Sequence, residues 1–161
     1  SFWKQAAYFL FTGCVLVILA ATVLDVVLLG VLGGEDILAA ERLISIVPFR
    51  VFTETWVMGG NKQMTQVIAN ILMFVPLGFV APAAFPKIRS WWKTALLSAL
   101  FSFSIEFVQY FIGRCADVDD WMLNTAGGIV GYAIFSVVFK MWKSGRAVCT
   151  EKVKEWFARK K

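Results

Sequence analysis

Four long apolar runs dominate the pattern of hydrophobic and polar positions along the chain. They cover residues 6–32, 67–85, 94–112 and 122–139. Each run is close to or above the ~20 helical residues needed to cross a hydrocarbon core of ~30 Å. None shows the polar face expected of a soluble helix of this length. The pattern therefore predicts an all-α polytopic membrane protein with four transmembrane helices, and hydrophobic residues accordingly make up 59% of the chain.

The connection between the first two runs, residues 33–66, has an apolar middle of its own. This part, Ile37 to Phe52, contains Pro48 as a helix breaker. Structureless loops of this length are uncommon, so we expect an interfacial helix followed by a turn or re-entrant piece. The first run is too long for a signal peptide and precedes no small-residue cleavage site, so we expect it to remain a span.

Charge separates the two sides of the predicted bundle. Of the 16 lysines and arginines, twelve fall in the N-terminal tail, the second-to-third connection and the C-terminal tail, and four fall on the other side. The positive-inside rule predicts that both termini are cytoplasmic at the cell membrane. Residues 1–140 then form the transmembrane domain and residues 141–161 a basic amphipathic tail. The net charge of +5 indicates anionic inner-leaflet lipid as the partner of this tail, not nucleic acid.

Polar side chains interrupt the spans at a common depth near the outer side. The third span carries a stripe at helical spacing, formed by Ser98, Ser102, Glu106, Gln109 and Gly113. Asp120 and Asn124 begin the fourth span, while Asn70 and Asp25 reach the same depth from the second and first. Because ionisable groups inside a membrane are costly, these residues are candidates for function.

Glycine and proline indicate how the helices pack. The run from Gly127 to Gly131 has the small-xxx-small spacing that lets two helix backbones approach closely. Pro76, followed by Gly78, is expected to kink or loosen the second helix, because proline removes a backbone hydrogen bond and clashes with the preceding turn.

The residue types limit the chemistry. The chain has no histidine, which excludes Ser-His and Cys-His nucleophile pairs and histidine-ligated metals. Glu106, desolvated within the bundle, and Asp120 are the candidate general acids or bases. Arg114 suits a phosphate or carboxylate because its planar fork binds such groups bidentately. Three carboxylates could hold a divalent cation through oxygen ligands: Asp117, Asp119 and Asp120.

Several blocks of sequence resemble the VanZ-like membrane protein family. They include residues 70–79 (NILMFVPLGF), 104–109 (SIEFVQ) and the glycine run from Gly127 to Gly131. The pattern continues through Gly113-Arg114, Asp117, Asp119-Asp120 and Asn124-Thr125, and residues 46–49 (IVPF) match a short motif before the second span. The resemblance covers roughly residues 44–132.

The resemblance implies an envelope-related role. The founding member of that family is associated with resistance to teicoplanin, a lipoglycopeptide that acts on cell-wall precursors outside the bacterial membrane. By resemblance, the candidate positions are Asn70, Glu106, Gln109, Arg114, Asp117, Asp120 and Asn124, without assigned catalytic roles. A housekeeping role in envelope or lipid metabolism also fits the family.

Three functions follow from these features, and the sequence leaves open whether the protein is an enzyme. The first is a site that binds or modifies an envelope amphiphile, such as a lipid-linked precursor or a phospholipid headgroup. The second is a flippase or transporter element, for which only Thr94, Ser98 and Ser102 continue the polar stripe inward, unless subunits of an oligomer share a path. The third is a buried ion-pair network that fixes helix register, a weak source of stability because desolvation largely cancels the Coulomb attraction.

Overall fold

The computed structural model describes residues 2–24, 27–28, 32, 44–49, 61–112 and 116–159. Its four long helices are α1 (Phe2–Leu19), α2 (Asn61–Ala84), α3 (Trp91–Phe111) and α4 (Val118–Arg159). All four are long and apolar enough to cross a membrane, which confirms the predicted all-α polytopic fold. A short 3₁₀ turn, Pro86–Ile88, connects α2 to α3.

The first span loosens near its end. A π-helical turn, Ala20–Leu24, follows α1 directly. The Thr22 hydroxyl donates to the carbonyl of Ile18 at 2.7 Å, and such bonding to the residue four positions back competes with the helical backbone pattern. The predicted span reached residue 32, but Asp25 lies outside the described residues.

The second and fourth helices run parallel and form the most extensive contact between described helices. Their backbones touch because glycine occupies the crossing. A Cβ at Gly131 would overlap the carbonyl of Val75, and one at Gly127 would overlap that of Ile71. Gly78 of α2 faces Gly128 in the same way. The prediction that these glycines serve helix packing is confirmed.

The first and third helices complete the bundle. Ile18 of α1, Phe74 and Leu77 of α2 and Ile105 of α3 form its buried apolar cluster. The Phe85 ring at the end of α2 lies 5.3 Å from that of Tyr8 near the start of α1, so these helices are antiparallel. The second-to-third connection and the start of α1 therefore share one end of the bundle.

Two short strands pair at the opposite end. Strand β1 (Ile44–Ser45) is parallel to β2 (Ala116–Asp117), in the register Ile44 with Ala116 and Ser45 with Asp117. Over Ile37 to Phe52 we expected an interfacial helix followed by a turn or re-entrant piece; the structure has no helix at residues 44–49, which form this strand and a turn at Pro48. Residues 37–43 and 50–52 lie outside the described part of the chain.

The basic tail extends the fourth helix. The span predicted to end near Phe139 continues as helix to Arg159, giving α4 a length of 42 residues. At 1.5 Å per residue this is about 63 Å, roughly twice the hydrocarbon core. The residues after the span therefore form a helical projection that emerges from the bundle.

Candidate functional site

The carboxylates of the third and fourth helices meet at the β1–β2 end, called here the carboxylate end and defined by Glu106, Asp117, Asp119 and Asp120. Asp117 directly precedes α4, and its Oδ1 accepts a hydrogen bond from the backbone N–H of Asp119 at 2.9 Å. This is an N-cap interaction, which satisfies one of the unpaired donors at a helix start. The N–H of Asp117 itself donates to Glu106 Oε2 at 3.0 Å. Glu106 thus ties the start of α4 back onto α3.

Asp119 connects the fourth helix to the outer connection. Its side chain is buried, and its Oδ1 accepts a hydrogen bond from the backbone N–H of Phe49. Phe49 has a φ of 66°, a left-handed conformation that is costly for a bulky residue. Such strain persists only where the surroundings hold it in place. Asp119 supplies part of that restraint.

We expect Asp119→Ala to release the Phe49 turn. A hydrogen bond to a charged acceptor contributes about 1.5–3 kcal/mol, so exchange of the Phe49 amide hydrogen should accelerate by about tenfold or more. Hydrogen–deuterium exchange with residue-level resolution measures this rate. Asp120→Ala is the matched control, since Asp120 bonds to α2 and not to Phe49. An unchanged rate in Asp119→Ala would show that other contacts hold the turn.

Asp120 joins the fourth helix to the second. Its Oδ1 accepts from the side-chain amides of Gln66, at 3.0 Å, and Asn70, at 2.5 Å. The two donors lie one turn apart on the same face of α2. The sequence predicted that Asn70 and Asp120 lie at one depth. It did not identify Gln66 as a second partner of Asp120, although Gln66 precedes Asn70 by four residues and so shares its helix face.

Gln109 joins the third helix to the first. It is buried, and its Nε2 donates to the carbonyl of Thr22 at 2.9 Å. Because Thr22 lies in the π-helical turn, the side-chain amide stabilises a backbone that departs from regular α-helix. Gln109 was predicted to bind substrate, whereas this contact is between helices.

Asn124 faces the polar stripe of the third helix. Its Nδ2 donates to Ser102 Oγ at 2.9 Å, and both side chains are buried. Thr94, Ser98 and Ser102 are fully buried between helices. Within the described part of the chain, neither Ser98 Oγ nor Asn124 Oδ1 has a hydrogen-bond partner. The inward continuation of the stripe is therefore a closed seam between α3 and α4.

An apolar groove of about 630 Å³ lies beside the carboxylate end. Its walls come from the outer half of α3, the start of α4 and both short strands. Its lining residues include Phe103, Glu106, Phe107, Ala116, Asp117 and Trp121. The Trp121 indole N–H donates to the carbonyl of Ala99 at 2.8 Å, which fixes this wall against α3. The surface of the groove is thus almost wholly apolar, and the acidic residues in its lining are Glu106 and Asp117.

The predicted site residues divide among several contacts. Asn70 joins Asp120, and Glu106 joins Asp117, whereas Gln109 and Asn124 each contact another helix. Arg114 and Gly113 lie outside the described residues. The predicted set therefore does not line one cavity, and Glu106 and Asp117 are its described members in the groove.

The three aspartates differ in their hydrogen-bond partners. Asp117 caps α4, Asp119 accepts from Phe49, and Asp120 accepts from α2. Among the described residues, no group of three or more acidic or cysteine side chains is arranged to hold a metal ion. The divalent cation stays a prediction from the sequence.

Sequence comparison gives one family. Residues 7–140 match the family model described as VanZ/LLP1, which includes every described residue of the groove and of the glycine crossing. No curated protein and no solved structure matches the chain.

Proposed function

Because the chain belongs to the VanZ/LLP1 family, we propose that it binds an amphiphile of the cell envelope in the groove beside Glu106. The observation that supports this proposal is an open, almost wholly apolar groove that has the acidic residues Glu106 and Asp117 in its lining. Its volume of about 630 Å³ falls within the ~300–1,000 Å³ of small-molecule sites. The ligand classes are a lipid-linked precursor, a phospholipid or a lipoglycopeptide, and the last would connect the protein to teicoplanin resistance.

The apolar part of the groove suits an acyl or polyprenyl chain. Its α3 wall extends from Phe103 to Phe111, about 12 Å at 1.5 Å per residue. This approaches half of a ~30 Å hydrocarbon core, so a chain in the groove would lie at the depth of one leaflet. The wall side chains Phe103 and Phe107 are more than half exposed, and a bound chain would cover them.

The end of the groove beside Glu106 suits a headgroup that donates hydrogen bonds. Carboxylates accept from hydroxyl and ammonium groups, and a headgroup there would meet Glu106 and Asp117, which belong to the groove lining. Arg114, between α3 and β2 in sequence, would contact a phosphate or carboxylate of the same headgroup. A glycosylated or amine-bearing lipid phosphate would satisfy both requirements.

The proposed site faces outward. The opposite end carries Lys87, Arg89, Lys93, Lys143 and Arg146, and the positive-inside rule assigns such an end to the cytoplasm. The groove would then open toward the outer leaflet, where cell-wall precursors and lipoglycopeptides meet the membrane. Both termini would be cytoplasmic.

Binding is better supported than translocation. A flippase needs a polar path across the bilayer, but Thr94, Ser98 and Ser102 are fully buried, and Ser98 and Ser102 are packed against α4. The structural alternative fits part of the polar set, since Asp120, Gln109 and Asn124 hold helices together. Glu106 and Asp117 differ because they also line the groove.

We expect Ala116→Trp to block the groove. Ala116 lines it from β2, so an indole there would displace part of a bound chain. Loss of contact with only two methylenes costs about 1.6 kcal/mol, more than a tenfold loss of affinity. Native mass spectrometry of the purified full chain, followed by identification of retained lipids, measures this occupancy.

Leu100→Trp is the matched control because Leu100 is exposed on α3 and is not among the groove residues. It should retain the wild-type lipids. Arg114→Ala should weaken retention of phosphate-bearing amphiphiles while leaving the groove open. If Ala116→Trp and Leu100→Trp keep the same lipids at equal occupancy, the groove is not the binding site.

A further inference from the structure

A second polar surface lies at the end of the bundle opposite the carboxylates. This cationic end is defined by Arg89, Lys93, Lys143 and Arg146. Each of these cations lies near an aromatic ring. The described carboxylates, Glu106 and Asp117 to Asp120, all belong to the other end. Among the described side chains, therefore, Arg89 and Lys143 have no acidic partner.

Arg89 is fixed in place by the turn that precedes it. Its Nε donates to the carbonyl of Pro82 at 2.8 Å. In a continuing helix that carbonyl would accept from residue 86, but Pro86 has no N–H. Arg89 therefore supplies the missing donor at the end of α2. The Tyr132 hydroxyl, 3.5 Å from the Arg89 carbonyl, supports the same turn from α4.

This arrangement places two cations against one aromatic ring. The guanidinium carbon of Arg89 lies 4.6 Å from the centroid of Phe139, and Lys143 Nζ lies 5.7 Å from the same centroid. Cation–π attraction holds each cation over the ring, while the two like charges repel each other. Because Nε is bonded to Pro82, the terminal nitrogens of Arg89 provide the remaining donors.

We propose that Arg89 and Lys143 bind the phosphate of an anionic phospholipid from the surrounding bilayer. A phosphate bound between the two cations would attract both of them and so offset their mutual repulsion. The planar guanidinium group of Arg89 can donate two hydrogen bonds to the phosphate oxygens. Basic residues grouped near the ends of membrane helices attract such anionic headgroups.

The surroundings identify a lipid as the occupant. Trp91, Trp92 and Trp142 are exposed beside the cations, and tryptophan is enriched where helices leave the hydrocarbon core. Exposed apolar side chains continue inward along both helices, including Leu96 on α3 and Val138 on α4. These would contact the acyl chains of a lipid whose phosphate is held at the helix ends. The site is independent of the groove.

The experiment compares the full chain in phosphatidylcholine nanodiscs with and without phosphatidylglycerol. Retained phospholipid is measured by native mass spectrometry and thermal stability by the unfolding temperature. Wild type should retain phosphatidylglycerol preferentially and unfold at a higher temperature in its presence. A charge-assisted hydrogen bond contributes about 1.5–3 kcal/mol, so Arg89→Gln and Lys143→Gln should each weaken retention by about tenfold or more.

Lys140→Gln is the matched control, because Lys140 is exposed one turn before Lys143 and its loss changes the net charge equally. It should retain phosphatidylglycerol nearly as wild type does. Lys143→Gln keeps the Arg89 bond to Pro82, so its effect cannot come from loss of that turn. If Lys140→Gln and Lys143→Gln lose phosphatidylglycerol equally, the proposal is wrong, because the lipid is then attracted by the overall positive charge and not by a specific site. Equal stabilisation by inorganic phosphate in detergent would also overturn it, since a free anion would then suffice.

Discussion

Gly131→Leu is expected to separate the second and fourth helices and lower the free energy of unfolding by about 3 kcal/mol. A Cβ at this position would overlap the backbone carbonyl of Val75 and crowd the N–H of Phe79. Backbone atoms cannot rotate away as a side chain can, so the helices must move apart. Reversible unfolding in mixed detergent micelles, followed by far-UV circular dichroism, measures the change.

Two further glycines make this test specific. Gly145→Leu is the control on the same helix, because a Cβ there meets no atom within 4 Å. Relief from the low helix propensity of glycine should make that variant equal to wild type or more stable, by up to about 1 kcal/mol. At Gly128 the obstacle to a Cβ is the Ser98 side chain, both its Oγ and its Cβ, so Ser98→Gly, which removes both atoms, should rescue Gly128→Ala. Equal stability of Gly131→Leu and Gly145→Leu would show that the crossing tolerates separation.

The glycine crossing was predictable from sequence because small residues at a four-residue spacing define one helix face. The same holds for the four spans, since backbone groups in lipid must be satisfied within helices. The predicted ends of the spans were less accurate. The π-helical turn after Leu19 depends on Thr22 and its contact with Gln109, an interaction across 87 residues that no local pattern contains.

The outer connection shows a different limit. The stretch from Ile37 to Phe52 is apolar enough to suggest an interfacial helix followed by a turn, but Ile44 and Ser45 pair with β2. Their partners lie about 70 residues away, and the strand pair is two residues long, too short to produce an alternating pattern. The left-handed backbone conformation of Phe49 could likewise not be predicted from the local sequence, because it depends on a hydrogen bond to the distant Asp119.

The candidate site was predicted in part. Common helix depth brought Asn70 and Asp120 together, as the structure shows. The aromatic wall of the groove was not predicted, because exposed aromatics such as Phe103 and Phe107 look like ordinary lipid-facing residues. Only the fold-back of β2 onto α3, fixed by the Asp117 bond to Glu106, turns that face into a cavity.

Glu106→Gln is expected to preserve the fold and to weaken amphiphile binding by about tenfold or more. The glutamine carbonyl oxygen can still accept the Asp117 N–H that Glu106 Oε2 accepts at 3.0 Å, so the start of α4 should stay in place. The negative charge is lost, and a hydrogen bond from the headgroup to a charged acceptor contributes about 1.5–3 kcal/mol. Titration of nanodisc-embedded protein with the amphiphile that native mass spectrometry identifies measures the affinity.

Glu106→Leu separates the structural role of this residue from its binding role. It removes the acceptor for Asp117, so unfolding should become easier by about 1–3 kcal/mol, whereas Glu106→Gln should unfold as wild type does. Ser104→Ala is the control on α3, because the exposed Ser104 bonds within its own helix, to the carbonyl of Leu100. Wild-type affinity in Glu106→Gln, combined with lost stability in Glu106→Leu, would assign Glu106 to the fold alone. The reverse pattern, weak binding by a stable Glu106→Gln, requires a ligand that contacts the carboxylate, because the backbone bond to Asp117 is the same in both proteins.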